Sequence, residues 1–137
     1  MKQILFIIAL LVGVTTANAQ SVVLMPLVAG DTLTNADTVD KYLPQFTGGY
    51  SGITIAPFGN KVSGTAAGKV YLYESLLTGV WGSPVDSLIF TNISVNTKVF
   101  SRQAPAANFY RLQYVSSGTT VIQTRTRYST KIFQITP

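Results

Sequence analysis

Histidine and cysteine are absent from this chain, and only five carboxylates stand in its 137 residues. Without imidazole or thiol there is no Ser-His-Asp or Cys-His catalysis, no imidazole acid–base work and almost no basis for a zinc site. Glycoside cleavage needs two carboxyl groups flanking one bond. Three of the five acids crowd between Asp31 and Asp40, which argues against such a pair and against an enzyme. No cofactor and no metal site is expected. Disulfides are excluded too, so a hydrophobic core must hold the fold by itself.

Long apolar runs are also missing, with one exception. Met1-Lys2 is followed by an uninterrupted apolar stretch from Ile4 to Val14, then by Ala17-x-Ala19. A positive start, a short apolar run and a small-residue cut site make a secretory leader, cleaved after Ala19. The run is about half of the roughly 20 residues that span a bilayer. The expectation is an exported protein, periplasmic, cell-surface or extracellular, with residues 1–19 removed, no membrane span afterwards and one domain over residues 20–137.

Beyond Ala19 nine basic residues face five acidic ones, a net of +4. No dense Lys/Arg run exists. The cations therefore read as solvated strand faces and blunted sheet edges, with acidic glycan, nucleic acid or anionic lipid as the functional alternative.

Helical periodicity is nearly absent. Short alternating or apolar stretches are instead separated by Gly, Asn, Ser and Pro. Eight strands are predicted, over residues 21–28, 38–46, 50–58, 69–75, 85–92, 96–103, 108–115 and 119–128, with 131–135 as a possible ninth. Ile53 and Ile55, Val70 and Leu72, Leu88 and Phe90, and Tyr110, Leu112 and Tyr114 supply core faces; Val99 marks the strand over 96–103. Pro44 demotes its strand to an edge. Gly48-Gly49 and the Ser63-to-Gly68 segment read as turns. Ser116-Ser117-Gly118-Thr119 reads as a tight link that makes the last two strands an antiparallel hairpin. The fold class is all-β, an antiparallel β-sandwich of about eight strands, jelly-roll or immunoglobulin-like.

Asp31, Asn35, Asp37 and Asp40 do not follow the EF-hand ladder and read as turn caps rather than a Ca²⁺ loop. Gly64 and Gly68 beside Lys61 and Lys69 do not make a phosphate loop, because the spacing is wrong and a strand follows. Asn92-Ile93-Ser94 is formally a glycosylation acceptor. Tyr71 and Tyr73 fall opposite Val70 and Leu72, either on an open face or under a partner or second sheet. Trp81 reads as a plug at the end of the core, with a binding aromatic as the alternative. With Arg111 and Arg125 these aromatics form the candidate contact surface: Tyr71, Tyr73, Trp81, Arg111 and Arg125. The partner would be a protein or a surface glycan, with no specific nucleic acid. Apolar segments near each end invite a homo-oligomer.

The series Gly30-Asp31-Thr32-Leu33-x-Asn35-Ala36-Asp37-Thr38, Lys61-Val62-Ser63-Gly64-Thr65-x-Ala67-Gly68-Lys69-Val70-x-Leu72, Asp86-Ser87-Leu88-x-x-Thr91-Asn92, Thr97-Lys98-Val99-Phe100 and Tyr110-Arg111-Leu112-x-Tyr114 resembles small β-sandwich proteins of tailed phages infecting Bacteroidetes and marine bacteria. The resemblance implies a virion accessory role: capsid decoration, head fibre or adhesin-like module. One turn departs from that pattern, since Leu77 and Thr78 stand before Gly79 where the family often carries an acid. No binding residue carries over. The sequence thus points to a non-enzymatic structural or adhesive module, with a secreted carbohydrate-binding module as the alternative.

Overall fold

The computed structural model describes residues 22–24, 31–47, 50–103 and 106–132. Residues 1–19, read above as a leader, most of the strand expected over 21–28, Gly48-Gly49 and the tail beyond Ile132 lie outside them. Among the described residues there are ten strands: β1 Val22–Leu24, β2 Thr32–Thr34, β3 Thr38–Tyr42, β4 Tyr50–Ser63, β5 Gly68–Ser75, β6 Asp86–Phe90, β7 Val95–Thr97, β8 Phe100–Gln103, β9 Phe109–Ser116 and β10 Val121–Ile132.

They form two antiparallel sheets, as the alternation predicts. The four-stranded sheet runs β3-β9-β5-β6. In the six-stranded sheet β4 and β10 pair along nearly their whole length, β1 and β2 flank the far side of β10, and β7 and β8 flank the far side of β4. The expected ninth strand is the end of β10 as far as Ile132.

The core lies between the sheets. Strand β9 gives Tyr110, Leu112 and Tyr114, β5 gives Val70 and Leu72, β4 gives Ile53 and Ile55, and β10 gives Ile122 and Tyr128. These are the inward members of each alternation. β10 also turns Thr124, Thr126 and Thr130 inward. The Tyr114 hydroxyl crosses to that strand, 3.0 Å from the Arg125 carbonyl and 2.8 Å from Thr126 Oγ1. Phe46 closes one end, with Tyr50, Tyr110 and Tyr128 edge-on around it at 5.6–5.7 Å. β3 stops at Tyr42 because Pro44 cannot continue a ladder. Leu43 and Phe46 still donate to the Tyr110 and Asn108 carbonyls. β3 is an edge, as Pro44 predicts.

Three expectations change. First, β9 and β10 do not pair: Ser117-Gly118-Thr119 carries the chain from one sheet to the other. Among the described residues, β5 and β6 are the only consecutive strands that pair. Second, Thr32–Thr34 is a strand on β10 with Leu33 fully buried, so the acidic segment is not all turn. Third, residues 96–103 make two strands, not one. β8 pairs with β4 at residues 52–55 and β7 at 58–60. Pro57, which has no N–H to give, falls at the interruption. There Lys98 turns away to reach the other sheet, so Val99 is exposed and Phe100 is the core residue. The expected loop between Ser63 and Gly68 is present and crosses between the sheets.

A chain of charges ties the sheets together beside the core. Arg102 Nε on β8 lies 2.5 Å from Glu74 on β5, and Lys98 Nζ lies 2.6 Å from Asp86 on β6. Burial pushes the Asp86 carboxyl up, but the Lys98 hydrogen bond, the Ser87 amide and the charges of Lys98 and Arg102 outweigh it and hold it below the ordinary 3.8. A depressed carboxylate stabilises the fold above its unfolded value, and that contribution is lost as pH falls through the lower folded value. Below about pH 4 the stability of the protein should therefore fall with acid. Urea midpoints measured down that range should decline less steeply in Asp86→Asn.

Candidate contact surface

Alternation on β3, β9 and β5 sends a second set of side chains to the open side of the four-stranded sheet. The register sets Tyr42 and Tyr73 on either side of Arg111, and Asp40 and Tyr71 on either side of Gln113. The loop between β5 and β6 brings Trp81 over them. The Arg111 guanidinium carbon sits 4.2 Å from the Tyr73 ring centre and 5.1 Å from that of Trp81. Trp81 in turn lies 6.0 Å from Tyr42. Each cation–ring contact contributes about 0.5–2 kcal/mol, more as water is excluded. The Tyr73 hydroxyl donates to Gln113 Oε1 at 3.2 Å, and Tyr71 stands tilted 6.5 Å from Tyr73.

Asp40 Oδ2 takes a long 3.4 Å hydrogen bond from Arg111. Asp40 Oδ1 and Arg111 Nε are buried with no protein partner among the described residues. The guanidinium is thus held by aromatic faces more than by its carboxylate. The Tyr42 ring is 60% exposed. Next to Tyr71 the same face dips into a groove of about 420 Å³, lined by Lys69, Tyr71, Ile89, Val115 and the loop residues Ala67 and Ser117. Rings, an anchored cation and an adjoining apolar groove suit stacking and surface contact.

Four of the five predicted contact residues come together here: Tyr71, Tyr73, Trp81 and Arg111. Two corrections follow. Trp81 does not plug the core; its loop lays it half-buried on the outer face, against Tyr42 and Arg111. Arg125 points outward from the six-stranded sheet, on the far side of the sandwich, and contacts Gln123. Sequence reasoning missed Tyr42, Asp40 and Gln113. The alternation of Asp40 and Tyr42 against Val39 and Lys41 was the available signal.

The remaining acids are dispersed. Asp31 pairs with Lys41, Asp37 caps the Thr38 amide at 2.8 Å, and Glu74 and Asp86 belong to the inter-sheet charges. Among the described residues no three acidic side chains converge on a cation site. Asn92 Oδ1 accepts from Lys61 Nζ and the Ala66 amide, pinning the crossing loop. Among the described residues no helix is long and apolar enough to cross a membrane.

No protein-family model matches the chain, and no curated protein matches it. Among solved structures it is similar to a chain from Bacillus, described as "Bacillus endospore appendages form a novel family of disulfide-linked pili". The TM-score is 0.50 at 14% identity, over 86% of this chain and 95% of the other. What the two chains share is a fold.

Proposed function

We propose that this chain is an exported, non-enzymatic contact module that works through the outer face of its four-stranded sheet. One observation carries the reading. Arg111 is clamped between the Tyr73 and Trp81 rings on an open sheet face, where the core gains nothing from it. Arg, Tyr and Trp held rigid at a surface are the residue types that dominate binding energy in interfaces. The missing imidazole and thiol groups support contact over catalysis. The leader-like residues 1–19 support export.

The likeness to a pilus chain supports a structural role, although a fold alone does not fix function. With no cysteine, any assembly this protein enters forms without disulfides. The phage resemblance over residues 30–115 supports a place on a particle surface. The glycan alternative is favoured by the exposed Tyr42 ring and the groove at Tyr71, since sugars stack on such faces.

The test is binding of the purified protein to a glycan array and to intact host cells or virions. Trp81→Ala and Arg111→Ala should each weaken retention about tenfold or more, the usual weight of a buried aromatic or Arg anchor. The β-sheet spectrum should stay intact. Retention that survives both changes would remove this face from consideration.

A further inference from the structure

Three cations without an acidic partner stand on one strand face of this protein. Four of the five acids pair with a base: Asp31 with Lys41, Asp40 with Arg111, Glu74 with Arg102 and Asp86 with Lys98. The fifth, Asp37, caps a backbone amide. Among the described residues this leaves Lys61, Lys69, Arg125, Arg127 and Lys131 without an acidic partner. Three of these five lie on β10 and alternate onto its outward face, all exposed. Opposite them on β4 stand Phe58, Ala56 and Gly52, so no acid answers them across the ladder. At about 3.4 Å per residue, Arg125 and Arg127 are roughly 7 Å apart and Lys131 lies about 13 Å further along.

The ordinary reason for cations on a strand is to blunt a free edge. It does not account for Lys131: β4 pairs β10 along one side, and on the other β2 pairs residues 121–123 and β1 pairs residues 129–131, so only residues 124–128, with Arg125 and Arg127, have no strand partner there among the described residues. Like charges in a row on a central strand repel one another, and an anionic partner would remove that repulsion.

We propose that the outer face of the six-stranded sheet docks a linear acidic polysaccharide, its carboxylates or sulfates meeting Arg125, Arg127 and Lys131. Single-stranded nucleic acid fits less well, because it needs stacking rings beside the cations. The exposed ring of Tyr42 and the half-buried ring of Trp81 lie over the other sheet, and Phe58 is half-buried. A lipid surface fits less well because the residues beside the cations on this strand face, Gln123 before them and Ser129 between Arg127 and Lys131, have nothing to insert. This surface is separate from the aromatic face, so either could fail alone.

The experiment measures the purified protein on surfaces carrying alginate, neutral dextran, oligothymidylate or phosphatidylserine vesicles. Alginate should retain it and dextran should not. Affinity should fall about tenfold or more between roughly 50 and 300 mM salt, as an exposed ionic contact requires. Arg125→Gln/Arg127→Gln should lose about tenfold, whereas Lys61→Gln/Lys69→Gln, an equal change in net charge, should stay within about twofold. The proposal is overturned by equal loss in both double variants, by tighter binding to the oligonucleotide or the vesicles, or by no retention on alginate.

Discussion

Tyr114→Ala should lower the unfolding free energy by about 3–5 kcal/mol, the range for emptying a large buried site. Tyr114→Phe should cost about 1–3 kcal/mol, because it keeps the ring but leaves the Arg125 carbonyl without its donor and the Thr126 hydroxyl without its partner. The Tyr114 side chain is fully buried, and its hydroxyl joins the two sheets through the Arg125 carbonyl and Thr126 Oγ1. Tyr110 offers the contrast: its hydroxyl is buried without a protein partner among the described residues, so Tyr110→Phe should be far milder.

The same two tyrosines set the alkaline limit. Burial raises the Tyr114 phenol, with the Thr126 contact opposing. Burial also raises Tyr110, to about 12, with the Glu74 charge adding and Arg102 opposing. A phenol raised in the folded state stabilises the fold below its ordinary value of about 10 and loses that contribution as pH rises through the folded value. Phenolate absorbance from both should therefore appear together with unfolding. Denaturant midpoints for the three variants, and absorbance followed with circular dichroism, check these outcomes.

Gly68→Ala should be nearly as damaging, at about 3 kcal/mol. The residue opens β5 at φ +137°, a region L side chains rarely adopt. A Cβ there would overlap the carbonyl oxygen of Val115, which is backbone and cannot swing aside. Gly118→Ala separates the two contributions. Its φ is +75° but nothing lies within 4 Å, so only the conformational cost of about 1–2 kcal/mol should remain. Equal losses in both variants would mean that the contact with Val115 does not matter. Chemical denaturation of the two single variants decides between these outcomes.

The sequence makes individual strands legible wherever one face is buried. Val70 and Leu72 against Tyr71 and Tyr73, and Leu112 and Tyr114 against Arg111 and Gln113, follow the pleat as written. Pairing was much less legible. Ser116 to Thr119 has hairpin chemistry, but a tight link can equally carry a chain from one sheet to the next, and local residues do not distinguish the two. Thr32–Thr34 escaped notice because a three-residue strand with one apolar member has no measurable period. The contact surface was legible by face and illegible by sheet. Parity put Tyr71, Tyr73 and Arg111 outward, whereas Arg125 is equally outward on the opposite sheet. Trp81 sits in a loop, where no periodicity applies.

The position of β10 bears on the order in which the molecule can form. It is the last of the ten strands in sequence, yet β1, β2 and β4 all take hydrogen bonds from it. Until residues 121–132 are available, those three strands have no common neighbour and the larger sheet cannot assemble. Such distant pairings also fold slowly. A chain threaded through a secretion channel from its N-terminus would consequently stay loose until its final strand had passed. Its topology would keep it fit for transport and let it lock only on the far side.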